Sequence, residues 1–377
     1  MDTLNADARL IIAASEVDSD LFYATRFLAP DPFVFLWHGA EKILLMSDLE
    51  VDRARAQAAV DLVLSFRVYE ERARARGSER PSRVETLHEL LAERGVRSVL
   101  VPGSFPLEHG DDLRERGITV QWKRAPFFEE RLVKRPDEVD AITAALRRTE
   151  AALERAIAAI RQADVREGIL WWQGERLTSE RVKGLITMTL LEAGLIAERT
   201  IVACGAQGCD PHNQGSGPLR AGQPIIIDVF PRDTESRYFA DITRTVVKGA
   251  ASETLRRMYG AVLAGQECAF AEIRAGAAGD AIHSHVQEAL QAYGFETGER
   301  DGHMQGFFHG TGHGLGLDIH ELPRIAKTPT TLQSGNVVTV EPGLYYREEG
   351  GIRIEDVVVV TETGCRNLTR YPKCLEV

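Results

Sequence analysis

The feature that most constrains how this 377-residue chain can fold is an internal repeat. Leu219-Arg220-Ala221-Gly222 is followed by five residues and then Asp228, and Leu332-Gln333-Ser334-Gly335 by five residues and then Glu341. Both match L-x-x-G-x5-[Asp/Glu], 113 residues apart. Each acid ends an apolar run, Ile225-Ile226-Ile227 or Val337-Val338-Thr339-Val340, and is soon followed by proline. A second extended stretch follows each time, 238–247 and 351–360. Helical periodicity precedes each half, over 179–193 before the first and over 253–273 and 279–293 before the second. Two helix-plus-hairpin halves predict a duplicated α+β domain with a site between them.

The hairpins concentrate acid. A loop centred on Thr234-Glu235 sets Asp228 directly opposite Asp241, and a loop centred on Glu348 sets Glu341 opposite Glu355. Directly opposed side chains have Cβ atoms ~4.5–5.5 Å apart, and like charges there are destabilising. For any single acid a solvated strand end, or pairing with Arg244 or Arg353, is the simpler reading. For all four a cation is better, because burying several unpaired carboxylates is prohibitive. Two divalent metals ~3.5–4 Å apart would bridge such a cluster and could activate a shared water.

Three histidines lie in one glycine-rich run, Phe308-His309-Gly310-Thr311-Gly312-His313-Gly314-Leu315-Gly316-Leu317-Asp318-Ile319-His320-Glu321. Its glycines weaken a helix, so loop or extended backbone able to approach a ligand closely is expected. The H-E-x-x-H spacing of a zinc-peptidase helix is absent, and no lysine follows to make the run a phosphate loop. His212, sixteen residues before Asp228, is a further candidate, although alone it reads as a loop histidine.

Upstream, residues 8–15, 33–37, 42–46, 60–66 and 98–101 read as strands, and 84–93 as a helix closed by Gly95. This is an α/β unit without a chemical motif, in which His38, His88 and His109 stand singly. A long helix then begins near Pro136, with Asp137 and Glu138 at its positive end, which puts the domain boundary within 121–135. With 45 basic and 56 acidic side chains the net charge is −11, which argues against nucleic acid or an anionic membrane surface as partner. The apolar runs 10–15 and 33–37 fall short of the ~20 residues that span a bilayer. The N-terminal residues lack the basic-then-apolar pattern of a signal sequence. The five cysteines are odd in number and have no C-x-x-C spacing, so neither a disulfide framework nor a zinc cage is expected. A cytoplasmic protein is the expectation.

Taken together, Ile226-Ile227-Asp228, Asp241-Ile242-Thr243-Arg244-Thr245, His309 to His320 with Glu321 and Pro323, Val340-Glu341-Pro342-Gly343 and Gly351-Ile352-Arg353-Ile354-Glu355-Asp356 resemble the pita-bread metallopeptidases. This is the superfamily of Xaa-Pro aminopeptidases, prolidases, methionine aminopeptidases and creatinase. The resemblance runs from Lys134 to the end, and the N-terminal region is similar to the smaller, non-catalytic domain of the Xaa-Pro branch. It implies an α/β N-terminal domain over 1–128 and an α+β pita-bread catalytic domain, the duplicated helix-hairpin, over 129–377.

By that resemblance, Asp228, Asp241, His313, Glu341 and Glu355 are the ligands of two divalent metal ions, with Asp241 and Glu355 bridging. Carboxylate-rich ligation with one imidazole suits manganese, with cobalt, zinc or iron as alternatives. His212, His309 and His320 match substrate-side histidines, and Glu341 also a proton carrier. Arg324 is a candidate reader of the substrate carboxylate, and alternation places Arg353 on the ligand face, where it would mainly neutralise the acids. The implied reaction is hydrolysis of the Xaa-Pro bond of dipeptides or short peptides by a metal-bridged hydroxide, in a homodimer. Two departures stand out: Asp228 and Asp241 are thirteen apart, two more than the commoner pattern, and Arg237 replaces a usual glycine. An insertion of two preserves strand parity.

Two alternatives compete. One is an aminopeptidase P that takes longer Xaa-Pro-Yaa peptides. The other is a non-catalytic relative that keeps the fold as a binding module, which the full set of five ligands disfavours. Creatinase-like chemistry is disfavoured on the same ground, and methionine aminopeptidase by the extra N-terminal domain.

Overall fold

The computed structural model describes residues 6–377, so the first five residues of the segment read for a signal sequence lie outside it. The chain divides into two compact units, the first ending at Arg131 and the second spanning Leu132–Val377.

The first unit is built on a six-stranded sheet. Its strands lie in the order Leu62–Ser65, Glu41–Met46, Phe33–His38, Ala8–Ala13, Ser98–Pro102 and Thr119–Lys123. Only the pairs around Phe33–His38 are antiparallel. Leu10, Ile12, Leu36 and Leu45 face one apolar core, while Ile11, Phe35, Leu44 and Leu100 face the other. Burial on both faces explains why these strands read as continuous apolar runs. Helix Arg83–Glu93 starts at a capping box between Ser82 and Glu85.

The second unit opens with helix Pro136–Gln162, whose apolar stripe, including Ile142, Leu146, Leu153 and Ile160, is buried. Helix Ser179–Glu192 packs beside it, and helices Glu253–Glu272 and Gly279–Ala292 pack on each other. The first half carries a three-stranded antiparallel sheet of Ile201–Cys204, Pro224–Val229 and Ile242–Val247. The second carries five strands in the order Glu321–Ile325, Gly312–Gly314, Val337–Val340, Asp356–Val360 and Cys365–Asn367. A separate pair, Gly343–Tyr346 with Gly350–Arg353, extends its hairpin. Among the described residues no helix is long and apolar enough to cross a membrane.

The first hairpin departs from its expected register. Asp228 faces Thr243, not Asp241, and the returning strand begins only at Ile242. The cause is the tip. Asp233 accepts hydrogen bonds from the backbone N–H groups of Glu235 and Ser236, and Arg237 closes the turn at φ 67°. That centres the turn one residue later than the sequence reading, and every cross-strand partner moves by two. Parity survives the shift, so Asp241, two residues before Thr243, stays on the same face as Asp228. The left-handed conformation of Arg237 is one that glycine adopts without the Cβ penalty.

The second hairpin has the expected register, but its ladder opens. Val340 pairs with Asp356 and Gly343 with Arg353, and between them Glu341 and Glu355 fall outside both ladders. Pro342 has no N–H to donate at that point. The buried Gln266 side chain donates instead to the carbonyls of Val340 (2.8 Å) and Ile354 (3.3 Å). The freed Glu355 N–H donates to Thr243 O of the first hairpin (3.0 Å), and the Glu341 N–H to Thr311 O (2.8 Å). The break in one hairpin is thus what joins it to the other.

Candidate metal centre

All ten residues singled out from the sequence line one cavity of about 940 Å³: Asp228, Asp241, His313, Glu341, Glu355, His212, His309, His320, Arg324 and Arg353. At its floor, one ligand atom from each of Asp241, His313 and Glu355 lies within 4.8 Å of the others, and all three residues are buried. Strand Gly312–Gly314 carries His313 between two neighbouring strands. A Cβ at position 312 would lie 1.9 Å from Thr339 O, and one at 314 would lie 2.3 Å from Leu322 O. Gly312 and Gly314 therefore admit neighbouring backbone, while Gly310 and Gly312 also line the cavity.

The floor contains acceptors facing acceptors. His313 Nδ1 donates to Gly314 O (3.1 Å), which leaves Nε2 as a bare lone pair. That lone pair lies 3.3 Å from Glu341 Oε1 and 3.8 Å from Asp241 Oδ2. Burial holds the imidazole neutral, its pKa pushed down to about 3. Burial also raises Asp241 and Glu355 well above the ordinary carboxylate range, with neighbouring carboxylates adding to it, and raises Glu341 to about 7. Asp228 Oδ1, Asp241 Oδ1 and Glu355 Oε1 are buried without a hydrogen-bond partner. A cation satisfies the lone pair and all three oxygens at once, and these residues fit one.

Around the floor runs a network of supports. Thr243 donates to Glu355 Oε2 (2.7 Å), and Thr339 to Glu341 Oε1 (3.2 Å). Arg353 donates to Asp228 Oδ2 (2.7 Å) and to the Tyr345 hydroxyl (3.0 Å). Tyr345 in turn lies 2.8 Å from His309 Nε2, and His309 Nδ1 lies 2.8 Å from Gly310 O. Both His309 nitrogens are therefore engaged within the protein. No such partner holds the rings of His212 and His320 among the described residues, and both histidines are exposed at the rim. His320 stacks edge-on against His313, with ring centroids 4.4 Å apart. Lys134 forms a buried ion pair with Glu321, the neighbour of His320. Arg244, offered as a partner for the four acids, pairs instead with the Asp356 carboxylate (2.8 Å) and reaches Glu355 only at its backbone carbonyl, to which it donates (2.6 Å).

Thr243, Thr339, Tyr345 and Gln266 escaped the sequence reading. The first three stand two or four residues from a ligand on its own strand face, so alternation could have found them. Gln266 could have been noticed as a lone polar residue within the buried stripe of its helix.

Residues 140–362 match metallopeptidase family M24. The chain is 29% identical over 336 residues to the Xaa-Pro dipeptidase of Pyrococcus furiosus, covering 88% of this chain and 85% of that one. It is similar in structure to the prolidase from Pyrococcus horikoshii OT3, with TM-score 0.78 and 26% identity, covering 100% of this chain and 97% of that one. An X-Pro aminopeptidase from Thermotoga maritima MSB8 has the same fold, with TM-score 0.80 and 24% identity over 99% and 98% of the two chains.

Proposed function

Because the chain belongs to metallopeptidase family M24, we propose that it hydrolyses the Xaa-Pro bond of dipeptides and short peptides in a metal-dependent reaction. The observation that carries this reading is the floor of the cavity, where a bare imidazole nitrogen and three orphaned carboxylate oxygens converge. In this reading Asp228, Asp241, His313, Glu341 and Glu355 hold two divalent cations, with manganese preferred for so carboxylate-rich a donor set. Divalent cations there supply Lewis acidity toward a carbonyl oxygen and activate water as a nucleophile.

The chain's own residues supply the rest. The Glu341 side chain is more open than those of Asp228 and Asp241, at 18% against 11% and 6%. That openness supports Glu341 as the group that passes a proton to the leaving imino nitrogen. His212 and His320, with free ring nitrogens at the rim, steady the substrate carbonyl as charge develops on it. His309, held through Tyr345, shapes the wall. Arg353 neutralises Asp228, and Arg324 is left to read the prolyl carboxylate.

The decisive experiment measures cleavage of Xaa-Pro dipeptides beside Xaa-Pro-Yaa tripeptides, with manganese added and then removed by chelation. Manganese-dependent release of proline from the dipeptides is the expected result, and no cleavage of either set defeats the reading. An aminopeptidase acting on longer peptides is the second reading. It is favoured by a cavity at the upper end of the ~300–1,000 Å³ typical of small-molecule sites. A cytoplasmic location and a homodimer complete the proposal, the latter checked by light scattering.

A further inference from the structure

The proposed reaction uses one arginine, Arg324, to read a carboxylate. Two more guanidinium groups line the same cavity, Arg199 and Arg232, and neither has an acidic partner among the described residues. Arg232 is held in place. Its strand, Arg232–Asp233, pairs with Leu195–Ile196, setting Ile196 opposite Arg232, and its guanidinium lies over the Phe239 ring at 5.7 Å. Ile196 and Phe239 line the cavity with it. The nearest acid in sequence, Asp233, is already occupied by the Arg148 side chain and by two backbone N–H groups of the turn. Arg199 is exposed on the same wall, three residues beyond Ile196. Outside the metal floor the wall thus carries Arg199, Arg232 and Arg324 against a single carboxylate, Glu198.

An Xaa-Pro dipeptide with a neutral first residue presents only one carboxylate, which leaves this positive wall without a counterpart. We infer that Arg232 and Arg199 form a subsite for a second substrate carboxylate, so that the preferred substrates are acidic Xaa-Pro peptides. The inference rests on the peptidase reading above and deepens it. A guanidinium stacked on an aromatic face keeps its N–H edge free for bidentate pairing, which an acidic side chain matches and its amide does not. The second carboxylate can belong to the first residue, as in Glu-Pro, or to a residue beyond proline, as in Ala-Pro-Glu.

Four peptides separate these sources: Glu-Pro against Gln-Pro, and Ala-Pro-Glu against Ala-Pro-Gln, with the full chain and added manganese. We expect kcat/KM to favour Glu over Gln by about tenfold in one of the two pairs, the effect of one well-formed charged hydrogen bond. That ratio should fall toward one in Arg232→Ala, partly in Arg199→Ala, and be retained in part by Arg232→Lys. A ratio near one in both pairs, or a preference unmoved in the double variant, overturns the subsite. Cleavage of none of the four peptides would instead defeat the peptidase reading. Calorimetric binding of the same peptides then decides the subsite separately: an Arg232-dependent preference for Glu keeps it, and no preference or no binding ends it.

Discussion

The two hairpins descend from one sequence pattern and solve different problems. In the first, the ladder from Pro224 to Val229 is complete, and Pro231 stands beyond it. In the second, Pro342 follows the ligand immediately and the ladder opens around Glu341 and Glu355. The supporting helices differ to match. Gln266 fills the opening, whereas 113 residues earlier helix Pro136–Gln162 presents a buried Leu153. Where the ladder is whole, an apolar helix face suffices. Where it opens, its carbonyls need a donor and its N–H groups are free to reach the other half. One continuous hairpin and one interrupted hairpin therefore bring four acids to one floor, which two continuous ones would not.

The strongest way to break this comparison is to remove one acid from each hairpin. Asp241→Ala and Glu355→Ala should each reduce turnover to background and lower the metal bound per chain, because both hairpins close on one centre. An Asp241→Ala protein with full metal content and near-normal turnover would break it outright. The next effect is on Gln266. Gln266→Met leaves two buried carbonyls without their donor and should lower activity by ~10–100-fold, as losses behind a ligand do. Leu153→Met in the other half is a volume-conserving core exchange and should cost less than ~1.5 kcal/mol of stability. Equal effects of the two substitutions would mean that the opening does not matter.

A third measurement uses protons. Asp241, Glu355 and Glu341, the last at about 7, are held above the ordinary carboxylate range. The metal-free folded protein therefore gains stability as pH falls through those raised values, and the gain is complete only below the unfolded ones. Metal needs the same groups ionised and loses its hold over the same window. His313, near 3, stays neutral throughout and does not compete. The rise in Tm on adding manganese should thus shrink steadily from about pH 8 to about pH 5. A rise independent of pH would detach these carboxylates from the metal. The smallest effect lies at the tip of the first hairpin. Arg237→Gly relieves a left-handed residue and should stabilise the protein by ~0.5–1 kcal/mol in denaturant unfolding, without changing metal content.

Much of this was legible because it rests on short-range rules. Five of the six strands of the first unit, the helix beginning at Pro136 and the parity of the ligand strands follow from periodicity and caps, whereas the half-exposed edge strand Thr119–Lys123 did not. The exact partner of Asp228 did not follow, since it depends on one carboxylate, Asp233, folding the turn around itself. Nor did the state of His309, whose nitrogens are taken by Tyr345 and by a carbonyl one residue away. Such assignments depend on which polar groups find each other across the fold. The spacing of acids and histidines announces a site, but it does not say which of them is already engaged.

Lys134 carries a consequence for how this chain can be recombined. It stands just past the boundary at Arg131, yet its ammonium is buried against Glu321, beside a rim histidine. Breaking a buried pair by removing one partner typically costs ~3–5 kcal/mol, because the other charge is left stranded. The junction is therefore not a neutral splice point. A chimaera that takes its N-terminal unit from a relative and crosses over at Arg131 keeps Lys134 and the loop it anchors. One that crosses over a few residues later, at Pro136, imports a stranger into the buried pair that sits next to His320.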